Sequence, residues 1–314
     1  MEYRPLGRTG FEVSALSLGT VSLACEYGIP LPGSRGCPDP ATAERVVRAA
    51  LYFGINLFDT APGYGRAEEL LGRALKDAPD SFVCTKVPIP VEPSGERIRG
   101  SVLATVVASS IRESLRRLRR DRIDVLQIHN PTLDVLREGD LTQELLRAKE
   151  QGHVRSLGVS VYTPEEALCA LADGSFDVLQ IPFSLLDQRM SEAALPAAAD
   201  HEVGVIGRSA LLKGALTLRA RFLPPELAGL RRAVENVRDA LRVPWTELPF
   251  TALRFCLSTS SLSTTLVGAC DPAELEEALH AAEAPRLSFE EMVMGREVSS
   301  RDEGLLDPRA WPIP

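Results

Sequence analysis

The sequence is short of several things, and each shortage closes off a class of function. Four of its 314 residues are histidine, and its six cysteines (Cys25, Cys37, Cys84, Cys169, Cys256, Cys270) are scattered without CxxC spacing. With no HExxH either, no metal site is expected. Basic residues number 35 against 43 acidic ones, a net charge of −8. The Lys and Arg excess that phosphate binding needs is therefore missing, and no nucleic-acid partner is expected. No apolar run approaches the roughly 20 residues of a membrane helix. Met1-Glu2-Tyr3-Arg4-Pro5 lacks the apolar core of a secretory signal. These two absences predict a cytoplasmic protein with reduced thiols and no membrane partner. The one basic cluster, Arg116-Arg117-Leu118-Arg119-Arg120, reads as the solvated face of a helix, because Ile111, Leu115 and Leu118 fall at helical spacing.

What is present is an alternation. The opening to about Ser14 reads as a hairpin around Gly7-Arg8-Thr9-Gly10, with Tyr3 and Val13 flanking the turn. Eight apolar runs follow: 16–19, 55–58, 82–85, 123–128, 154–159, 176–181, 203–206 and 265–267. Helical patterns lie between them, at Ala43 to Tyr52, Glu68 to Leu75, Glu144 to Gln151, Pro164 to Leu171 and Glu274 to Ala282. Eight βα units with no internal linker predict a single domain over 1–314: an α/β fold, a (β/α)₈ TIM barrel capped by an N-terminal hairpin. The stretch from Ile206 to Thr265 is too long for one unit and must hold an extra helix. A doubly wound nucleotide-binding sheet is the competing architecture. Leu16-Ser17-Leu18-Gly19-Thr20 is followed by no GxGxxG, which argues against it.

Barrels of this kind place their chemistry at the C-terminal ends of the strands. Asp59 ends the second run, Lys86 the third and His129 the fourth, and Tyr64 follows Asp59 in the loop. A lysine ending an apolar strand would be costly without a counter-charge, and Asp59 on the neighbouring strand is the natural one. Carbonyl reduction needs a proton donor beside the oxygen as hydride arrives. A free phenol, with a pKa of ~10, is a weak acid at neutral pH, and a nearby ammonium lowers that value. The four residues then divide the work: Tyr64 as acid, Lys86 as tuner, Asp59 as orienter, neutral His129 as a hydrogen-bonding partner for the substrate oxygen.

The run Gly54 to Gly65, with Glu69-Leu70-Leu71-Gly72, Cys84-Thr85-Lys86-Val87 and Ile123 to His129, strongly resembles the aldo-keto reductase signature. The resemblance extends from Arg4-Pro5-Leu6-Gly7 to about Ala282, and the family's catalytic tetrad carries onto Asp59, Tyr64, Lys86 and His129. It implies a nicotinamide cofactor, NAD(H) or NADP(H), with its carboxamide near Ser160 and Gln180. Where the family usually has Ser-Asn, this chain has Ser160-Val161, so one amide contact is gone. Gly207 to Gly214 resembles the loop over nicotinamide and pyrophosphate, implying contacts from Arg208, Ser209, Leu212, Lys213 and Gly214. Many relatives carry an aromatic residue in place of Arg208, whose guanidinium can also stack.

The adenosine end corresponds to Val267 to Ala278. NADPH-preferring relatives commonly present Lys or Arg to the 2′-phosphate there, whereas this chain offers Gly268, Cys270, Glu274 and Ala278. NAD(H) is therefore slightly favoured, unless Arg35, Arg208 or Lys213 supplies a phosphate partner. The leading expectation is an oxidoreductase interconverting a carbonyl and an alcohol. A net non-redox elimination or epimerisation through bound nicotinamide, and a binding or sensor subunit, are the alternatives. For the small-molecule substrate, the Pro/Gly-rich loop 25–38, the segment 130–140 and the tail ending Trp311-Pro312-Ile313-Pro314 are candidate pocket walls. Tyr27 and Trp311 are the candidate contacts. Few aromatics in these loops point to a sugar-like or other polar substrate.

Overall fold

The computed structural model describes residues 1–31, 33 and 36–314. The chain opens on the hairpin, β1 (Tyr3–Pro5) and β2 (Glu12–Ser14), antiparallel with Arg4 opposite Val13. Eight parallel strands follow: β3 (Leu16–Gly19), β4 (Leu57–Asp59), β5 (Phe82–Pro88), β6 (Ile123–His129), β7 (Val154–Ser160), β8 (Val178–Pro182), β9 (Gly204–Arg208) and β10 (Thr264–Gly268). They pair in chain order and close where β10 meets β3, giving a (β/α)₈ TIM barrel.

The barrel interior is built in layers, and the layering places the site. One apolar layer consists of Leu57, Cys84, Val125, Val178, Ile206 and Leu266, against which Leu6, Phe11 and Val13 of the hairpin region pack. The hairpin thus closes the end of the barrel where the strands begin. Side chains along a strand alternate faces, so the residue two places on points the same way. Two residues beyond those six lie Asp59, Lys86, Gln127, Gln180, Arg208 and Gly268. One polar layer therefore sits directly above an apolar one.

The plug fits closely. Gly7 adopts φ +52°, and a Cβ there would lie 2.1 Å from the Gly204 backbone nitrogen. Only a glycine lets this turn reach the start of β9.

The differences from the sequence reading have local causes. Asn56, expected in a strand, instead serves the hairpin: its Oδ1 accepts from Ser14 N at 2.8 Å and its Nδ2 donates to Glu12 O at 2.8 Å. The strand begins only at Leu57. β5 runs on to Pro88, so Lys86 lies within the strand, not at its end. The long connection after β9 holds two helices of more than one turn, Ala228–Leu241 and Leu248–Ser258, the extra helix expected there besides the one of the βα unit. The basic cluster ends the helix Gly100–Leu118, and Arg116 and Arg117 both pair with Glu113, at 2.7 and 2.8 Å. No helix of the described residues is long and apolar enough to cross a membrane.

Candidate active site

A cavity of about 980 Å³ opens at the C-terminal ends of the strands. Asp59, Tyr64 and His129 line it, with Lys86 buried beneath. The Lys86 Nζ donates to Asp59 Oδ2 at 2.7 Å and to the Thr60 carbonyl at 2.8 Å. It lies 5.3 Å from the centre of the Tyr64 ring. The Tyr64 and His129 rings stand 5.9 Å apart and nearly perpendicular, at 81°. Position along the strands and chemistry had selected these four, and they form one cluster.

Electrostatics in the cluster follow from burial set against charge. Burial alone would lower the Lys86 pKa, but the Asp59 carboxylate and the phenol beside it outweigh that and hold it above its ordinary value. Lys86 is therefore charged. Burial, with the charges of Lys86 and Arg208 adding to it, pushes His129 down to about 3. Its imidazole is neutral at any ordinary pH. Tyr64 departs from expectation: burial pushes its phenol above the usual value, while Lys86 and Arg208 pull the other way and Asp59 does not help. The ammonium limits the rise and does not reverse it. A phenol in this setting holds its proton, as a proton donor must before it acts.

Asp59 has a second set of partners that sequence reasoning missed. Its Oδ1 accepts from Gln180 Nε2 at 2.8 Å and from Gln127 Nε2 at 3.3 Å. Gln180 lines the cavity, as expected of a carboxamide contact, and one N–H of its amide is committed to Asp59. Its remaining capacity is the second N–H and the amide oxygen, the latter an acceptor suited to an NH₂ donor. Gln127 was invisible because it lies mid-strand in an apolar run. Only the period-two alternation through Val125 and His129 marks it as inward.

Ser160 lines the cavity beside Asn130, whose Oδ1 is 3.5 Å from the serine Oγ. Val161 is buried, and its carbonyl accepts from Arg208 Nη2 at 3.1 Å. Arg208, Ser209, Leu212, Lys213 and Gly214 all line the cavity, as do Gly268 and Glu274. Lys213 is not free to reach far: its Nζ donates to the carbonyls of Pro308 at 3.2 Å and Ile313 at 3.5 Å. Its own carbonyl accepts from Ile29 N at 3.0 Å, and Gly28 N donates to Pro314 O at 2.9 Å. The first loop, the β9 loop and the tail are thus joined.

Tyr27 lines the cavity under the Lys213 ammonium, 5.4 Å from it. Trp311 does not. It is buried at 5% exposure in the main apolar cluster and anchors the tail, which leaves Pro308 and Arg309 to face the cavity. A large apolar ring gains more from that packing than from a wet rim. The segment 133–138, also expected to form a wall, is a short helix, and Asn130 alone of 130–140 reaches the cavity. Arg35 lies outside the described residues.

At the end of the cavity expected to take the adenosine, the structure supplies a cation that sequence spacing could not. Arg219, from the 3₁₀ turn Leu218–Phe222, pairs with Glu274 Oε1 at 2.6 Å, and Glu274 Oε2 accepts from Cys270 N at 2.7 Å. Both side chains line the cavity. Nothing in the local sequence links two residues 55 apart.

The whole-chain comparisons agree with this geometry. A model of the aldo/keto reductase family matches residues 15–299. The chain belongs to the aldo-keto reductase family. It is 31% identical over 224 residues to the aldo-keto reductase YhdN of Bacillus subtilis, a match spanning 69% of this chain and 64% of that one. It is 29% identical over 337 residues to the L-galactose dehydrogenase of Arabidopsis thaliana, covering 99% and 97% of the two chains. Among solved structures, the holo form of aldo-keto reductase AKR11C1 from Bacillus halodurans superposes with a TM-score of 0.80. The identity is 27%, over 96% of this chain and 97% of that one. As a member, this aldo-keto reductase is an oxidoreductase using NAD(P)(H). The residues present fit such a group: the cavity runs from Tyr64 to Glu274, with polar side chains such as Ser160, Gln180, Ser209 and Thr217 set among apolar ones along it.

Proposed function

We propose that Tyr64 is the general acid–base of a carbonyl–alcohol interconversion, with Lys86, Asp59 and His129 in support. The observation carrying this reading is the fully buried Lys86–Asp59 pair set beneath a phenol and a neutral imidazole. The nicotinamide supplies hydride in one direction and accepts it in the other. In reduction, Tyr64 gives its proton to the carbonyl oxygen as negative charge develops there, and the Lys86 charge steadies the phenolate left behind. His129, neutral, donates a hydrogen bond to the same oxygen and fixes its approach. Asp59 holds Lys86 in place through one oxygen and Gln180 through the other.

Ser160 and the Gln180 oxygen are suited to the carboxamide, and Ser209, Leu212, Lys213 and Gly214 to the pyrophosphate. Gly268 and Glu274 are suited to the adenosine. NAD(H) is used at least as well as NADP(H), because Glu274 faces that end and Arg219 beside it is already paired. The tetrad end holds more aromatic side chains than the loops suggested, Tyr27 and Tyr162 besides Tyr64. His129, Asn130 and Ser160 beside them nonetheless suit a sugar-like or other small polar substrate, and a relative named for L-galactose lies in the same direction. Tyr27 is the contact carried forward; Trp311 is not. The test is Tyr64→Phe, expected to lose at least ~100-fold in turnover with cofactor affinity nearly unchanged. Wild-type turnover in that variant would overturn the assignment.

A further inference from the structure

The β9 loop sets a charge where many relatives have a neutral ring. Arg208 stands on the inward face of β9, two residues beyond Ile206, and lines the cavity together with Ser160 and Gln180. Its donors are turned to the protein. Nη2 donates to the Val161 carbonyl at 3.1 Å, Nη1 to Ser209 Oγ at 3.3 Å, and Nε is buried without a partner. The Cζ lies 4.0 Å from the centre of the Tyr162 ring, so the phenol ring fills one side of the guanidinium. What this residue gives the cavity is its charge and the side turned away from Tyr162.

That charge has no counter-ion. Among the described residues no carboxylate lies within ion-pair distance of Arg208. The neighbouring cations are answered: Lys86 by Asp59 at 2.7 Å and Arg309 by Asp307 at 2.7 Å. The Lys213 ammonium is held by the Pro308 and Ile313 carbonyls. Arg309 adds to the excess, because its Cζ lies 3.9 Å from the centre of the same Tyr162 ring. The Arg208 charge also reaches the tetrad, where it helps to hold the His129 pKa down and opposes the rise at Tyr64.

Gly207 to Gly214 was read as the loop over the nicotinamide, and the two forms of that ring differ by one charge. The oxidised ring is a pyridinium cation and the reduced ring a neutral dihydropyridine. An aromatic side chain against it attracts a cation if it discriminates at all. A guanidinium is planar and can stack in the same way, but it repels the cation and leaves the neutral ring alone.

We propose that Arg208 makes this site prefer reduced nicotinamide, holding NADH more tightly than NAD⁺ through the unpaired charge it sets against the ring. The proposal rests on the placement of the nicotinamide under the β9 loop. It has a consequence for direction. A tighter hold on the reduced form draws the bound equilibrium toward the carbonyl. The alcohol carbon gives its hydride to the ring, the hydroxyl proton passes to Tyr64, and the pyridinium charge beside Arg208 disappears. The site is thereby set for alcohol oxidation.

Calorimetric titration with NADH, NAD⁺ and ADP-ribose tests this without turnover. Wild type should bind NADH at least ~10-fold more tightly than NAD⁺, between the limits that water and a protein surface set for two unit charges in contact. Arg208→Tyr, which restores the ring of many relatives, should bring that ratio close to one, chiefly by tightening NAD⁺. Arg208→Met should do the same, whereas Arg309→Met should lower the ratio less, since Arg309 is already paired. ADP-ribose carries both phosphates and no nicotinamide, so it should bind wild type and the Arg208 variants alike.

Equal affinity for NADH and NAD⁺ in wild type would overturn the proposal, as would a preference left intact by Arg208→Tyr. Loss of ADP-ribose affinity in Arg208→Met, in step with both nicotinamides, would assign the guanidinium to the phosphates and overturn it too. Ser160→Ala tests the placement separately: it should weaken NADH and NAD⁺ but not ADP-ribose, and no change in any of the three would reject the placement and the proposal with it. Tyr64→Phe should keep the wild-type ratio, so failure of the acid–base reading shows in turnover and failure of charge discrimination shows in binding.

Discussion

The two ends of the cavity are built on different principles. At the tetrad end every working group but Tyr64 stands on a strand of the closed barrel, in register with its neighbours: Lys86 opposite Gln127, His129 opposite Ser160, Ser160 opposite Gln180. At the adenosine end the groups come from turns and helix starts, and the central contact, Arg219 to Glu274, joins two segments that share no sheet. Position at the first end is fixed by backbone hydrogen bonding through the barrel. At the second it is fixed by a half-exposed ion pair, which is worth little and is screened by salt. The first end should therefore respond to substitution in an all-or-none way and the second by degrees.

The largest expected effect is at Lys86. Lys86→Met leaves the Asp59 carboxylate buried beside two amides with no counter-charge, and breaking a buried pair costs about 3–5 kcal/mol. Turnover should fall at least ~100-fold. Adding Asp59→Asn should restore most of the lost stability, read by thermal unfolding, without restoring turnover. If the double variant regained activity, the pair would be scaffolding only. In alcohol oxidation, where Tyr64 must first lose its proton, the pH–rate profile of Lys86→Met should move to higher pH. Removing the cation takes away an influence that lowers the phenol's pKa. An unmoved profile would separate Lys86 from Tyr64.

A smaller effect is expected where the ion pair governs. Glu274→Arg should shift preference toward NADP(H) by about 10-fold or more, the worth of a charge-assisted hydrogen bond. Arg219→Ala should weaken both cofactors alike and lessen the salt dependence of binding. Fluorescence titration of NADH and NADPH at two ionic strengths checks both. A strong NADPH preference in wild type, untouched by Glu274→Arg, would place the adenosine pocket elsewhere.

A separate effect is on stability against pH. His129 is held neutral down to about 3, whereas in the unfolded chain it titrates near 6.5. Between those values the unfolded state binds the extra proton, so this residue's contribution to stability is complete above about 6.5 and falls as pH drops toward 3. His129→Asn should flatten that part of the stability curve in denaturant titrations at pH 4 to 7. An unchanged slope would mean that the imidazole titrates freely.

The same contrast decides what could be read before the structure. Asp59, Lys86 and His129 follow apolar runs whose alternation fixes their face, so sequence order alone brings them together. Gln180 was legible as a site residue, but its bond to Asp59 was not, because the partners stand on strands separated across the barrel. Tyr162 escaped notice just past Ser160, since its contacts are with two guanidiniums arriving from 208 and 309. Trp311 was misjudged because an aromatic residue in a tail reads the same whether it lines a cavity or anchors the chain. The cation at Glu274 was illegible because closure of a 55-residue connection leaves no local trace.

The bonds joining the first loop, the β9 loop and the tail include two between backbone groups, Gly28 N to Pro314 O and Ile29 N to Lys213 O. Gly28 holds φ +86°, and a Cβ there would lie 2.8 Å from the Lys213 carbonyl, so the segments meet without room for a side chain. If such contacts part together, the rim is a single kinetic unit, and traffic in and out of the cavity waits on one opening event, on the microsecond-to-millisecond scale of such loops. Once that event is slower than hydride transfer, substrates of very different intrinsic reactivity converge on one maximal rate.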